Sequence, residues 1–253
     1  MASLRIVVLG SGNAFNTDGR ASPALWLEPY AGAPLIVDIG PTALASMERL
    51  RLKPGAIDRV LFTHLHGDHV AGWPFLLLHN AFVARRTKVL SVHGPTGTEE
   101  QLMTLCRGAY PELLSSSRLR FPLEYHEIPV ARATDIDAGA GVRFDVIPLE
   151  HHPTSIGYRI HVAGVTVGVT GDTRWCAGLE ELSQGCDVLV VECSSVEKQE
   201  YAHVSLEEVR ERIRRLGSAR TVLVHVTDAV VRALREHPVP GVVAAEDGLS
   251  LDL

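Results

Sequence analysis

Short apolar runs recur along the chain and are separated by glycine, proline and polar residues. Each run is rich in valine, isoleucine and leucine, which favour the pleated, half-buried surface of a β-strand. Their length also suits strands better than helices, because helices usually need about ten residues or more. The predicted strands are 4–9, 35–39, 59–62, 88–92, 142–149, 156–162, 165–169, 187–191 and 221–224.

Helix-like stretches lie between some of the predicted strands. Ser205, followed three positions later by Glu208, forms a capping box at the start of one of them, because each side chain can satisfy a free backbone N–H of the first turn. The predicted helices are 41–52, 73–86, 97–107, 173–182 and 205–216.

The middle of the chain differs from its two ends. The runs 144–149 and 158–169 follow one another with only short turns, including Ala163-Gly164, and therefore predict antiparallel neighbours. Strands alternate with helices at both ends of the chain, and a hairpin region lies between these ends. This order predicts two sheets with helices on the outside. We therefore expect an α/β fold, an αββα sandwich, formed by one domain that spans residues 1–253 without a linker or repeat.

Composition places the chain among ordinary globular proteins. Hydrophobic residues make up 46% and charged residues 21% of its 253 positions. The net charge of −6 gives no overall attraction to a phosphate backbone, so a nucleic-acid partner would need a local basic patch and is not favoured. The densest basic stretch, 210–220, is interleaved with glutamates (207, 208 and 211) on a predicted helix, which is typical of a solvated helix face.

Cysteine usage and hydrophobic run length bear on where the protein works. The four cysteines are scattered without a C-x-x-C pair, which predicts neither a disulfide framework nor a thiolate cluster and fits a reducing cytoplasm. The apolar run 6–9 is too short for the core of a signal peptide, and no segment approaches the length of a membrane span. We therefore expect a cytoplasmic protein without membrane contact.

The segment 63–69 carries the strongest chemical signal. It places His64, His66, Asp68 and His69 directly after the strand that ends at Phe62, a pattern expected by chance in about one of a thousand such chains. Side chains at positions i, i+2, i+4 and i+5 of an extended turn can point to two adjacent places, which predicts two metal ions. Imidazole and carboxylate ligands suit zinc, and they also suit Mn²⁺ or Fe²⁺.

Further ligands are needed to complete two coordination shells, and candidates follow three later strands. His151 and His152 follow the run that ends at Leu149, Asp172 follows 165–169, and His225 closes 221–224. Each of them alone would more often be a surface residue or a hydrogen-bonded core residue. Together with the first motif, they are predicted to complete one metal centre.

The order of these motifs resembles the metallo-β-lactamase superfamily over essentially the whole chain. Two further segments resemble its ribonuclease Z-like and phosphodiesterase-like branch. The superfamily resemblance rests on Asp38-Ile39-Gly40, the 64–69 motif, a later histidine, Gly171-Asp172-Thr173 and a last histidine. The branch resemblance rests on Glu150-His151 with Gly157-Tyr158-Arg159, and on His203-Val204-Ser205.

The resemblance implies a complete set of ligands. His151 is chosen over His152 because it stands six residues before Gly157, and Asp38 is expected to support the ligands rather than bind metal. The lactamases proper usually have cysteine at the position of Asp172, so antibiotic hydrolysis is disfavoured. The implied ligands are His64, His66 and His151 for one ion, Asp68, His69 and His225 for the other, and Asp172 as a bridge between them.

The same resemblance assigns catalytic roles. A lone histidine before a helix, such as His203, would by itself indicate an exposed or capping residue. The branch resemblance makes His203 a general acid or transition-state stabiliser, oriented by Glu192, although Val191 here replaces the histidine that precedes this glutamate in ribonuclease Z. Asp68 would orient a water that the two metals share. The metals would convert this water to a hydroxide nucleophile.

These features predict a zinc-dependent hydrolase, most simply a phosphodiesterase for a small or accessible phosphodiester. Hydrolysis of a carboxylic ester, lactone or thioester is the alternative. Maturation of tRNA 3′ ends is less favoured, because only the 20 residues 152–171 separate the third ligand motif from Asp172 and leave no room for a tRNA-clamping arm. A binding module without activity would leave the buried ligands uncompensated. The branch resemblance also implies a homodimer.

The surroundings of the metals are less determined. The loops expected to cover them are 13–22, 73–86 and 108–120, together with Trp175. Trp73, Trp175 and Tyr110 could form an apolar wall of the pocket or pack in the core.

Overall fold

The structure is a computed structural model that describes residues 2–114, 118–199 and 203–253. Part of the expected covering loop 108–120 therefore lies outside the described residues. Within them, no helix is long and apolar enough to cross a membrane.

Two β-sheets form the centre of the fold. The first sheet has the strand order β14-β1-β2-β3-β4-β5-β6, and the second has the order β13-β12-β11-β10-β9-β8-β7. The strands of the first sheet are β1 (Leu4–Gly10), β2 (Ala24–Pro29), β3 (Leu35–Val37), β4 (Arg59–Leu61), β5 (Leu90–Pro95), β6 (Leu123–Ile128) and β14 (Ser250–Asp252). The strands of the second sheet are β7 (Ala133–Asp137), β8 (Arg143–Pro148), β9 (Ile156–Val162), β10 (Val165–Val169), β11 (Val188–Glu192), β12 (Thr221–Val224) and β13 (Val242–Ala244).

Helices cover the outer face of each sheet. The helices of the described chain are α1 (Ala43–Arg49), α2 (Gly67–Val70), α3 (Trp73–Phe82), α4 (Thr98–Ala109), α5 (Ala177–Ser183), α6 (Leu206–Arg212) and α7 (Asp228–Glu236). Apolar residues of β1, β2, β8 and β9 share one core between the sheets. A second core joins the first sheet to α1, α3 and α4, and a third joins the second sheet to α5, α6 and α7. The predicted αββα sandwich is confirmed.

Strand direction brings distant parts of the chain to one end of the sandwich. In the first sheet β3 and β4 are parallel, and β1 has the same direction because two antiparallel pairings separate it from β3. In the second sheet β10, β11 and β12 are parallel, and β8 shares their direction for the same reason. The loops that follow strands of one direction meet at the same edge of their sheet. This rule places together the candidate ligands that follow β8, β10 and β12.

Most of the predicted elements are present, and their bounds move by a few residues. The antiparallel neighbours in the middle are β8, β9 and β10, and the Ala163-Gly164 turn has both residues at positive φ. The capping box of Ser205 and Glu208 is formed. Sequence analysis did not predict β2, β6, β7, β13, β14, α2 or α7. Strands such as β6 and β7 are largely polar and partly exposed, so they lack the apolar run on which the prediction depends.

Tyr158 ties the two sheets together beneath the candidate site. Its fully buried hydroxyl donates a hydrogen bond of 2.9 Å to the backbone carbonyl of Phe62, one residue before the Thr63-His64 segment. We expect Tyr158→Phe to lower the free energy of unfolding by about 1–3 kcal/mol, because the buried carbonyl loses its partner. Urea denaturation measures this change. Tyr30→Phe is the matched control, since the exposed Tyr30 hydroxyl bonds Asp252 at the surface, and a loss as large in the control would contradict the prediction.

Candidate metal centre

The 64–69 motif forms the floor of the site. The chain leaves β4, runs extended through His66 and turns into the short helix α2. His64 and His69 are buried, whereas His66 and Asp68 are half-buried and reach the cleft described below. This change from extended backbone to one helical turn sends the four side chains to two neighbouring places.

The first group of donor atoms consists of three histidines. His64 and His66 come from the motif, and His151 comes from the loop after β8. Nε2 of His151 lies 3.2 Å from Nδ1 of His66. His152, the alternative to His151, belongs to no such group among the described residues, and its Nδ1 lies 2.8 Å from the hydroxyl of Thr154 in its own turn.

The second group combines carboxylates and imidazoles. It contains Asp68, His69, Asp172 and His225, and their donor atoms lie within 4.8 Å of one another. Nε2 of His69 is 3.4 Å from Oδ2 of Asp68 and 3.3 Å from Oδ1 of Asp172. Nε2 of His225 is 3.7 Å from Oδ2 of Asp68 and 3.4 Å from Oδ2 of Asp172.

Asp172 lies between the two groups. Besides its contacts with His69 and His225, its Oδ2 is 3.9 Å from Nε2 of His64 and 3.9 Å from Nε2 of His151. The carboxylate is 4% exposed. Its position is fixed by the turn after β10, where Gly171 takes positive φ and a Cβ would collide with Thr63. One carboxylate therefore faces candidate donor atoms of both groups.

The cluster has the properties of a metal site. Donor atoms about 2.0–2.2 Å from a tetrahedral ion lie about 3.3–3.6 Å apart, which is close to the observed spacing. Several of these atoms are buried without a hydrogen-bond partner, an arrangement that costs free energy unless a cation compensates them. These atoms are Nε2 of His64, His69 and His225, Oδ2 of Asp68 and Oδ1 of Asp172. The residues present therefore fit a pair of divalent cations.

Electrostatics hold the carboxylates of the cluster ionised. Burial alone would raise the pKa of Asp172, but the neighbouring His225 and His69 hold it well below its usual range. In the same way, burial opposes the ionisation of Asp68, yet the adjacent imidazoles of His225 and His69 lower its pKa. Burial lowers the pKa of His64 well below its usual value, so this imidazole is neutral and can donate its lone pair.

Asp38 contacts the cluster from behind, through His69 and Thr63. Its Oδ2 lies 2.8 Å from Nδ1 of His69, and it accepts hydrogen bonds from the backbone N–H and the hydroxyl of Thr63. A proton on Nδ1 of His69 leaves Nε2 free to face the cluster. Asp38 has a positive φ of 58°, a strained conformation that its three contacts sustain.

His203 and Glu192 form a pair at the rim of the cluster. Nδ1 of His203 lies 2.7 Å from Oε1 of Glu192, which also accepts a hydrogen bond from the backbone N–H of Thr173. Glu192 is buried, whereas the His203 side chain is 25% exposed. Burial and the nearby Asp172 raise the pKa of Glu192 well above its usual range. Ring nitrogens of His203 and His151 and an oxygen of Asp172 lie within 4.8 Å of one another.

A cleft of about 680 Å³ opens onto the cluster. Candidate ligands form its floor, His203 lies on one wall, and the loop after β1 forms another. Its volume suits a small organic molecule. The residues that line the cleft are Asn13, Ala14, Phe15, His66, Asp68, His151, Asp172, Ser194, Ser195, Gln199, His203 and His225.

The structure decides between the two roles left open for Trp73, Trp175 and Tyr110. Trp73 and Trp175 are buried in the cores beneath α3 and α5, and Tyr110 packs on Phe75, so none of the three lines the cleft. Sequence reasoning did not single out Ser194, Ser195 or Gln199, because polar residues in a loop carry no periodic signal. It placed Phe15 only within the long covering loop 13–22.

The chain has the metallo-β-lactamase fold: two β-sheets carry helices on their outer faces, and a histidine–aspartate cluster lies at their strand ends. The metallo-β-lactamase fold protein YhfI from Bacillus subtilis superposes with a TM-score of 0.78 at 20% identity, over 99% of this chain and 100% of that protein. The short form of human tRNase Z also superposes with a TM-score of 0.78, at 21% identity over 98% of each chain.

Sequence comparison is more specific. The family described as "Anti-Pycsar protein Apyc1" matches residues 4–244, and the chain belongs to this family. A ribonuclease Z from Mycobacterium sp. (strain KMS) is 29% identical over 246 residues, which cover 88% of this chain and 84% of that protein. The predicted membership in the ribonuclease Z-like and phosphodiesterase-like branch of the superfamily is confirmed.

Proposed function

We propose that this protein hydrolyses a small phosphodiester at a dinuclear metal centre, with zinc as the favoured metal. The position of Asp172 carries this proposal, because one buried carboxylate faces the donor atoms of both groups while His203 stands beside it in an open cleft. A phosphodiester needs charge stabilisation at both the attacking and the leaving oxygen, and two adjacent cations suit that need.

The proposed ligands follow the two groups. His64, His66 and His151 would hold one ion, and Asp68, His69 and His225 would hold the other, with Asp172 shared by both. When bound, the two ions supply Lewis acidity and lower the pKa of a water toward neutrality. The mixture of imidazole and carboxylate also suits Mn²⁺ or Fe²⁺, so metal analysis of the purified protein decides the identity.

The residues around the ions would orient the reactants and move protons. Asp68 reaches the cleft, where its carboxylate can accept a hydrogen bond from the attacking water and align it with phosphorus. Glu192 holds Nδ1 of His203 and leaves Nε2 for the departing oxygen, which needs a proton as the ester bond breaks. Bound cations would neutralise part of the negative charge of Asp172. The repulsion between Asp172 and Glu192 would then be weaker, so Glu192 would be ionised more readily and could pair with His203 as a carboxylate.

Other substrates of this fold are less well supported. Hydrolysis of a lactone, carboxylic ester or thioester uses the same ions, but its leaving group would depend less on His203. A tRNA substrate, as the ribonuclease Z name of the curated relatives suggests, is disfavoured by the net charge of −6. In addition, the stretch between His151 and Asp172 holds little more than the β9–β10 hairpin, so no clamping arm lies there.

A substrate panel tests the proposal. We expect the zinc-loaded protein to hydrolyse bis-p-nitrophenyl phosphate and to leave both a lactone panel and a precursor tRNA largely intact. Hydrolysis of lactones alone, at a rate that His203→Ala does not change, would contradict a phosphodiesterase and favour the alternative. Specific 3′ cleavage of the precursor tRNA would favour the ribonuclease. Bound transition metal below one equivalent, with no activity on added zinc or manganese, would favour a binding module.

A further inference from the structure

The loop after β1 presents an aromatic ring at the mouth of the cleft. Phe15 lines the cleft together with Asn13 and Ala14, and it is 87% exposed. Among the described large hydrophobic residues that are exposed, none has a higher exposed fraction. An exposed ring does not gain the free energy that its burial would provide. An exposed aromatic side chain at the mouth of a cleft is therefore a candidate for ligand contact.

The loop that carries Phe15 has a defined conformation. The side-chain oxygen of Asn13 accepts hydrogen bonds from the backbone N–H groups of Phe15 and Thr17 and from the Thr17 hydroxyl, at 3.0–3.2 Å. Asn16 and Asp18 both have positive φ, at 50° and 60°. Non-glycine residues keep this backbone only where the surroundings impose it. The backbone that carries Phe15 is therefore held in one defined turn.

The base of the loop is fixed to a distant part of the chain. Asp247 accepts hydrogen bonds of 2.8 Å from the backbone N–H groups of Ser11 and Ala21, where the loop begins and ends. Arg20 bonds the Ser11 hydroxyl and forms an ion pair of 2.8 Å with Asp228. These contacts hold the two ends of the loop, and with them Phe15, near the segment between β12 and α7 that carries His225.

Among the described residues, the other walls of the cleft carry no comparable apolar ring. Apart from Phe15 and the histidines, the described residues that line it are small or polar. A molecule whose phosphoryl group sits on the cluster would therefore meet the apolar, flat ring of Phe15 among described residues that are otherwise small or polar. Aromatic groups gain more from such a surface than aliphatic groups of equal size, because ring stacking adds to area burial.

We propose that Phe15 determines substrate specificity, by stacking on a planar aromatic group of the phosphodiester bound at the cluster. The preferred substrates are then aryl or heteroaryl phosphodiesters rather than alkyl ones. The statement that the substrate is a phosphodiester rests on the proposed function. The contact between Phe15 and an aromatic ring depends only on a ligand binding in the cleft.

Calorimetry on the zinc-loaded protein tests the contact with two ligands of similar size. Phenylphosphonate has a flat ring, and cyclohexylphosphonate has a puckered one. We expect Phe15→Leu, which keeps apolar bulk but removes the flat ring, to weaken phenylphosphonate binding about 3- to 10-fold and cyclohexylphosphonate binding by less than about twofold. Phe82→Leu is the matched control, because Phe82 is also exposed but does not line the cleft.

Several results would overturn the inference. They are an equal effect of Phe15→Leu on both phosphonates, no effect on either, or a wild-type protein that binds neither. A shift of Phe15→Leu from dimer to monomer with unchanged phosphonate affinities would also overturn it and assign the ring to a subunit interface. Turnover of bis-p-nitrophenyl phosphate, measured in the same preparations, separates the two proposals. Its absence would refute the phosphodiesterase, while a Phe15-dependent preference for the phenyl ring would still support the contact.

Discussion

Replacing Asp172 with asparagine is expected to remove most of the metal and nearly all of the activity. The side chain keeps its size but loses the charge that faces ligand atoms of both groups. Bound metal should fall from two equivalents to one or fewer. The value of kcat/KM for bis-p-nitrophenyl phosphate should fall by roughly 10³-fold or more, since charge stabilisation in the transition state is lost together with the ion.

Asp135→Asn is the matched control for this variant. Asp135 lies on β7 with a largely exposed side chain, and its carboxylate pairs with Arg143 at the surface. The control should keep two equivalents of metal and the activity of the wild-type protein, and circular dichroism should show that both variants are folded. If Asp172→Asn retained both ions and its activity, Asp172 would not be the shared ligand.

The second large effect is expected at His203. We expect His203→Ala to keep both ions and to lower kcat by about 10²–10⁴-fold, the range for removal of a general acid. The loss should be larger for bis-phenyl phosphate than for bis-p-nitrophenyl phosphate, because p-nitrophenolate leaves readily without a proton. Steady-state kinetics with the two esters, combined with metal analysis, measures both parts of this prediction.

His161→Ala serves as the control for His203. His161 is a half-exposed histidine on β9 that faces Asp145, away from the cluster, and its loss should change neither metal content nor rate. Equal losses for the two esters in His203→Ala would argue against proton donation to the leaving oxygen. Loss of metal in the same variant would instead make His203 a ligand.

The fold and the cluster were largely predictable, because they depend on motifs within single segments and on the direction of the strands that carry them. A dense motif such as 64–69 is visible in one segment, and the later candidates each stand where an apolar run ends. Strands that share one direction bring such positions together, which explains why His151, Asp172 and His225 meet the motif although long stretches of chain separate them.

The walls of the cleft were not predictable to the same degree. Whether an aromatic residue lines a pocket or fills a core depends on packing between distant segments, which periodicity does not report. Trp73 and Trp175 therefore proved to be core residues, whereas the side chain of Phe15 is exposed to solvent. The polar edge strands β6 and β7 escaped prediction because they lack a continuous apolar run. The homodimer and the cytoplasmic location stay predictions.

Anomalous diffraction at the zinc edge, from crystals of the zinc-loaded protein, tests the central claim most directly. The account predicts two peaks roughly 3.5–4 Å apart, both within bonding distance of Asp172. One should contact His64, His66 and His151, and the other Asp68, His69 and His225. A single peak, or peaks that Asp172 does not touch, would contradict the shared dinuclear centre and the mechanism that depends on it.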